Sequence, residues 1–405
     1  NLSSYLVLSS SIAASILVYF FVNLIGHPSQ KHGLPFPVMM RMSMGLNGAR
    51  YFSLLRSIVG IFMFGIQTYF ISKSITYLTR ITIYYIFDPQ ILENEFVLQF
   101  FLGLNVIDWF SLIVTFFIQF FLFTNGQRYN QGFLKFSAIF VYFGLIFFFI
   151  MLIAENGTQI FQSLKSNTTS TDLISKSNVM PFFILTGTIF SYFSIVLLNY
   201  GDFSRYVKTS RDLKIGNLFL FLNMIIFSFL ATTIVIGVDV LLNQKLIVVD
   251  QIMTRPMDII GKIDNVYLTV YALIFIIFSS ISTNLITNYV PTQNSIINFL
   301  PKDLDLKSAG ILILIFGLIT GSLWPSILSQ IEIIKLIDSL AAFFGPIFGV
   351  IIADYYLVKR EKVNHKDLFF IRLENEYIYS GGWNYKAVYA VLIGFIFSFS
   401  IIWNI

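Results

Sequence analysis

The stretch VYLTVYALIFIIFSSISTNLITNYVP, from Val266 to Pro291, joins two properties that seldom share a segment. Its first half is almost wholly apolar. Its second half packs Ser279, Ser280, Ser282, Thr283, Asn284, Thr287 and Asn288 into ten residues, none of them charged. A helix of roughly 20 mostly apolar residues crosses a bilayer, so residues 266–287 read as a membrane span with hydrogen-bonding side chains at depth. Ser280, Thr283, Asn284, Thr287 and Asn288 recur at i, i+3, i+4, i+7 and i+8, which places them in one stripe of a helix. Ser279, Ser282 and Thr283 form a second, overlapping cluster.

The rest of the chain extends the membrane reading. Of 405 residues, 56% are hydrophobic and only 12% charged, with a mean hydropathy of +0.78. A soluble domain is about a quarter charged. Ten apolar runs of spanning length fall at about 3–25, 54–79, 106–124, 132–154, 179–199, 217–242, 266–287, 308–328, 336–357 and 387–405. Turn-rich connectors such as Gly26-His27-Pro28 and Asn125-Gly126 separate them, none long enough for a soluble domain, so residues 1–405 form one transmembrane domain. Lys and Arg number sixteen in connectors 26–53, 125–131, 200–216, 290–307 and 358–386, against seven in the opposite set. Basic loops stay inside, so the first set faces the cytoplasm and Asn1 begins outside. One further helix upstream is the expected remedy for that odd start. The basic residues are scattered through short loops, which gives nucleic acid no footprint; the bilayer is the expected surface partner. No cysteine is present, which removes disulfides and thiolate chemistry.

Two readings fit the polar stripe. Hydroxyls and carbonyls can ligate a hard cation, which takes oxygen ligands. Asn288 lies about 7.5 Å along the helix from Thr283, a spacing that suits an adjacent site for an amide-bearing ligand. The same side chains also serve as interhelical glue, worth about 0.6 kcal/mol per contact. In the second run Gln67 offers a donor and an acceptor, the complement of a cyclic amide or imide edge, or again a link between helices. Lys73, six residues on, either snorkels or lines an outer vestibule. In the fifth run Gly187, Thr188, Ser191 and Ser194 permit either an unwound helix centre or close helix packing. Enzyme chemistry has no foothold. The three histidines sit in connectors without metal-ligand spacing, and no Walker loop, nucleophile elbow or paired intramembrane carboxylate appears.

Five stretches taken together resemble the nucleobase–cation symporter family of hydantoin, uracil, allantoin and cytosine permeases. They are Gly33–Gly48, the FGIQT of Phe64–Thr68, the GDFSRY of Gly201–Tyr206, the STNLITN of Ser282–Asn288 and the GPIFGVIIADYYL of Gly345–Leu357. They occur in family order over nearly the whole chain. The resemblance implies an all-α, leucine-transporter-like fold of two inverted five-helix repeats, with the first and last of twelve helices absent here. It implies symport of a nucleobase or related cyclic amide with sodium, or with protons, and no other cofactor; a monomer is expected. A same-fold carrier of an amino acid or vitamin, and a passive channel, are the rival functions. The resemblance carries Gln67 and Asn288 onto the substrate-binding positions, and Ser282, Thr283 and the Ser279 carbonyl onto a sodium site. Met63 and Phe193, the latter beside Tyr192, stand where the family has two ring-stacking tryptophans. Phe193 can still stack, whereas Met63 offers a softer sulfur–ring contact.

Overall fold

A backbone in lipid must close its hydrogen bonds within itself, and the apolar runs do so as helices. The computed structural model describes residues 4–166, 176–244, 265–330, 332–369 and 375–403. The connector bearing Lys245, Arg255 and Lys262, the residue Arg372 and the final Ile405 lie outside the described residues. The long helices are α1 (Ser4–His32), α2 (Phe36–Ile86), α3 (Val106–Thr124), α4 (Gln127–Ser166) and α5 (Lys176–Leu198). They continue with α6 (Ser210–Gln244), α7 (Val266–Phe299), α8 (Leu306–Leu323), α9 (Ile333–Val358) and α10 (Tyr385–Trp403). Among the described residues nine are long and apolar enough to span, and the tenth run supplies a shorter apolar helix, Tyr385–Ser400.

Three pairs of helices five apart are partners: α1 packs along α6, α2 along α7, and α3 against α8. An offset of five spans makes each pair opposite in direction across the membrane, the relation of an inverted repeat. Helices α1, α5 and α6 form one group, and α2, α3, α7 and α8 a second, with α2 in contact with every other member of its group. Helix α4 touches both α6 and α7, and α9 packs on α5 and α10.

Close approach at the centre of the second group depends on small residues. A Cβ on Gly65 would lie 1.7 Å from the Thr320 hydroxyl oxygen, and one on Gly317 would lie 2.3 Å from the Phe64 ring. Gly317 and Gly321 have the small-xxx-small spacing that lets two backbones meet in a membrane.

The structure corrects the expected connector at 26–53. Gly26-His27-Pro28 is no turn but lies inside α1. Pro28 cannot donate to the carbonyl four residues back, and Tyr356 donates its hydroxyl to that oxygen, on Leu24, at 3.0 Å. Residues 36–53 are helical too, broken at Gly45 with φ 82°. The carbonyls freed around the break are met from the segment before α10. Tyr379 Oη donates to Met42 O at 2.6 Å, Asn384 Nδ2 to Ser43 O at 2.7 Å, and Asn384 N to Met44 O at 3.0 Å. A side chain at Gly45 would strike Gly382 O at 2.5 Å. Helix α5, by contrast, runs unbroken through Gly187–Ser194, and the chain turns only at Asn199–Tyr200.

Candidate functional site

Pro291 lies inside α7, and ahead of it the helix widens into a π turn over Leu285–Tyr289. Such turns arise where the i→i−4 ladder is broken, and they re-aim side chains. Just before and within it stand Asn284 and Asn288, both buried. Asn288 Nδ2 donates to Gln67 Oε1 at 2.9 Å and to Asn284 Oδ1 at 2.8 Å. Gln67 Nε2 donates to Ser280 O at 3.1 Å. Asn284 Nδ2 reaches Phe64 O and Thr68 Oγ1, each at 3.3 Å. Thr68 Oγ1 lies 3.0 Å from Gln119 Oε1 on α3, and Gln119 Nε2 has no partner among the described residues. Helices α2, α3 and α7 are thus joined by one line of amides and a hydroxyl. Gln67 and Asn288, singled out separately in the sequence, are in direct contact.

One turn toward the start of α7, Ser282 Oγ and Thr283 Oγ1 both donate to Ser279 O, at 2.9 and 2.8 Å. The three residues expected at a cation site therefore converge on one carbonyl. Thr283 is exposed and the other two are half-buried. The two hydroxyl oxygens keep their lone pairs for a cation while they donate, and Ser279 O becomes available to one when the hydroxyl protons turn away.

The aromatic positions fall differently. Met63 is half-buried on α2, one turn before Gln67 and on the same face. Phe193, on α5, packs with Val18, Val22 and Leu197 at the contact with α1. Its neighbour Tyr192 is exposed. Lys73 neither snorkels freely nor stands alone: its Nζ lies 3.0 Å from Asp108 Oδ1 and 5.3 Å from the centre of the Tyr69 ring.

Sequence reasoning missed a second polar centre. Arg56, fully buried on α2, donates through Nε to Asn199 Oδ1 at 2.6 Å and through Nη2 to Thr287 O at 3.1 Å. Thr287 O is the carbonyl whose i+4 donor is missing, because Pro291 has no N–H. The guanidinium also lies 6.0 Å from the centre of the Phe344 ring on α9. Asn199 Nδ2 continues to Asp202 Oδ2 at 3.2 Å, and the Phe36 N–H reaches Asp202 Oδ1 at 3.1 Å. Burial pushes the Asp202 carboxyl up to about 6, against the pull of those two hydrogen bonds. The available signal was a lone arginine in an apolar run, which in a membrane is costly unless it has partners.

The comparisons with known proteins agree with this architecture. The model of the permease family for cytosine/purines, uracil, thiamine and allantoin matches residues 1–403. The purine-uracil permease NCS1 of Arabidopsis thaliana is 26% identical over 96% of this chain, which spans 62% of that protein. The allantoin permease of Bacillus subtilis (strain 168) is 26% identical over 98% of this chain and 78% of its own length. Among solved structures, Mhp1, a nucleobase-cation-symport-1 family transporter in a closed conformation with bromovinylhydantoin bound, superposes with a TM-score of 0.73. Identity there is 16%, over 99% of this chain and 85% of that one. MhsT in complex with L-phenylalanine superposes at 0.52, with 14% identity over 98% of this chain and 95% of that one. The expected leucine-transporter-like fold is therefore the fold found. Relatives named as permeases also agree with the absence of enzyme chemistry in the sequence, and the many apolar helices are those of a multi-pass membrane protein. By the match over residues 1–403, this chain belongs to the permease family for cytosine/purines, uracil, thiamine and allantoin.

Proposed function

We propose that the chain is the membrane domain of a secondary active symporter that couples the downhill entry of sodium, or of protons, to uptake of a nucleobase or related cyclic amide such as uracil, allantoin, hydantoin or cytosine. One observation carries the reading. Asn288, paired with Gln67, lies about one and a half to two and a half turns from three oxygen-bearing residues gathered at Ser279 O, on a helix that reads as spanning the bilayer. Amides suit the ring edge and the hydroxyls with the carbonyl suit sodium, so ion and substrate share α7 and each can stabilise the other's bound form. The named substrates of the relatives, purine and uracil in one and allantoin in the other, support the class.

The test is linkage. Thr283→Ala removes one hydroxyl from the proposed ion shell and leaves Asn288 in place. Coupling free energies are typically about 1–3 kcal/mol, or roughly 5–150-fold in affinity. The full-length protein is expected to bind substrate several-fold more tightly with sodium than without. The variant is expected to lose most of that enhancement while its sodium-free affinity stays near wild type. Equal enhancement in both would remove Thr283 from the ion site. Concentrative uptake in proteoliposomes under a sodium gradient distinguishes a symporter from a channel, which only equilibrates. An absent sodium effect with uphill uptake under a pH gradient would assign the coupling to protons.

A smaller effect tests the face beside Gln67. Met63→Trp replaces a flexible thioether with a stacking surface and is expected to strengthen binding of planar rings by about 0.5–1.5 kcal/mol. Weaker binding with normal folding would mean that Met63 leaves room for a bulkier ring.

A further inference from the structure

Two histidines on the face that the basic connectors mark as cytoplasmic take no part in the site between α2 and α7. His32 ends α1, and His365 opens a one-turn helix, His365–Phe369, in the connector from α9 to α10. His32 Nδ1 and His365 Nε2 lie 3.0 Å apart, and Tyr355 Oη lies 3.3 Å from the other ring nitrogen of His32. The connector is fixed in turn to the second helix group. Arg41, on α2, donates to Leu368 O at 3.1 Å and to Asn298 Oδ1, on α7, at 2.6 Å. Tyr379 and Asn384 hold the carbonyls at the break in α2. The histidine contact therefore joins α1, of the first group, to the segment that grips α2 and α7.

A hydrogen bond between two imidazoles needs an N–H on one ring and a lone pair on the other. The neutral pair has both. One added proton is also accommodated. A protonated His365 donates to the Nδ1 lone pair of His32, whose Nε2–H then turns to Tyr355 Oη, and a hydroxyl accepts as readily as it donates. A second proton leaves no lone pair between the rings and sets two cations in contact. We infer that His32 and His365 form a proton-operated latch that ties the connector to α1 while the pair holds no proton or one, and releases it when the pair holds two.

The sign follows from proton counts. Parted, each ring takes its own proton near the ordinary imidazole value of about 6.5; joined, the pair holds one at most. The open form binds more protons, so the closed latch is fully present above that value and is lost as the pH falls below it. The charged and titratable groups around the pair are Lys31 and His27 on α1, Tyr355 on α9, and Glu361, Lys366 and Asp367 in the connector. Lys31 Nζ meets Glu361 Oε2 at 3.1 Å, but both side chains are exposed, and such a pair holds little by itself.

The test is a distance across the latch. Residues 1–405 contain no cysteine. Lys208→Cys and Lys366→Cys, made in the full-length protein with any cysteine outside these residues replaced by serine, give two unique positions for spin labels. Both residues are exposed, and Lys208 O is held to α1 by Gln30 Nε2 at 3.1 Å. The label-to-label distance is expected to be single and narrow at about pH 8, and a longer, broader component is expected to grow below about pH 6.5. Its ratio to the narrow one rises by up to about tenfold per pH unit while the open form holds one more proton. His365→Gln puts an acceptor oxygen where Nε2 stands, and His32→Asn puts a non-titrating amide where Nδ1 stands. Both are expected to keep the narrow distance down to about pH 5. His365→Leu, which offers neither donor nor acceptor, is expected to show the broad component at every pH. Acid opening that survives in both amide variants would assign the proton to another group, such as Asp202 or a connector carboxylate, and overturns the inference. A wild type whose distance ignores pH overturns it too, as does a leucine variant indistinguishable from wild type at about pH 8.

Discussion

Replacing Arg56 with alanine is expected to destabilise the folded protein by about 3–5 kcal/mol, the cost of removing one member of a buried, hydrogen-bonded ionic set. Two acceptors lose their donor at once. Thr287 O lacks its i+4 donor because residue 291 is proline, and Asn199 Oδ1 is fully buried behind it. Each unmet buried acceptor costs about 1–3 kcal/mol, and a large cavity opens beneath the Phe344 ring. Arg56→Met restores much of the volume but donates nothing, so it is expected to fall between alanine and wild type. Thermal unfolding in detergent checks the order. The consequence reaches function, because Arg56 joins α2, the turn after α5, the π-turn region of α7 and a ring of α9. Transport is expected to fall with stability in both variants. Unfolding temperatures within error of wild type for the alanine variant would show that Thr287 O and Asn199 are met by other donors.

Asn288→Ala and Gln67→Ala are each expected to weaken substrate binding by about 1–3 kcal/mol, or roughly 5–150-fold. The loss has two sources. The ring edge loses a partner, and the remaining amides lose the contact that holds them. Without Asn288, Gln67 Oε1 and Asn284 Oδ1 both lack a donor; without Gln67, Asn288 keeps only Asn284. The larger loss is therefore expected for Asn288→Ala, which empties the middle of the line. Direct binding measured at saturating sodium separates this effect from ion linkage, and thermal unfolding separates it from misfolding. Unchanged affinity in both variants would place recognition of the ring elsewhere.

Much of this protein was legible before any coordinates. Apolar run length dictates spans because lipid offers the backbone no partner, and among the described residues the ten runs appear as nine spanning helices and one shorter apolar helix. The i, i+3, i+4 recurrence of Ser, Thr and Asn places them on one face of α7, since helical period alone decides that. Residue type also marked Gln67 and Asn288 as amides at depth. Other features were decided in three dimensions. Gly26-His27-Pro28 beyond the first apolar run reads as a turn, yet Pro28 stays inside α1, where a tyrosine from another helix, Tyr356, satisfies the carbonyl it orphans. Gly45 reads as one small residue in a loop, yet it breaks α2 where the segment before α10 supplies donors for the freed carbonyls. Arg56 and Asn199 stand 143 residues apart, and nothing in either local pattern pairs them. The direction in which Asn288 faces is likewise a tertiary property. Sequence by itself determined which side chains stand on α7 and at what spacing, because that depends on helical period and residue type. Only the tertiary structure decided which atoms Gln67 and Asn288 present, because packing sets the Nε2 of Gln67, on α2, against Ser280 O, on α7, and so turns Gln67 Oε1 toward Asn288.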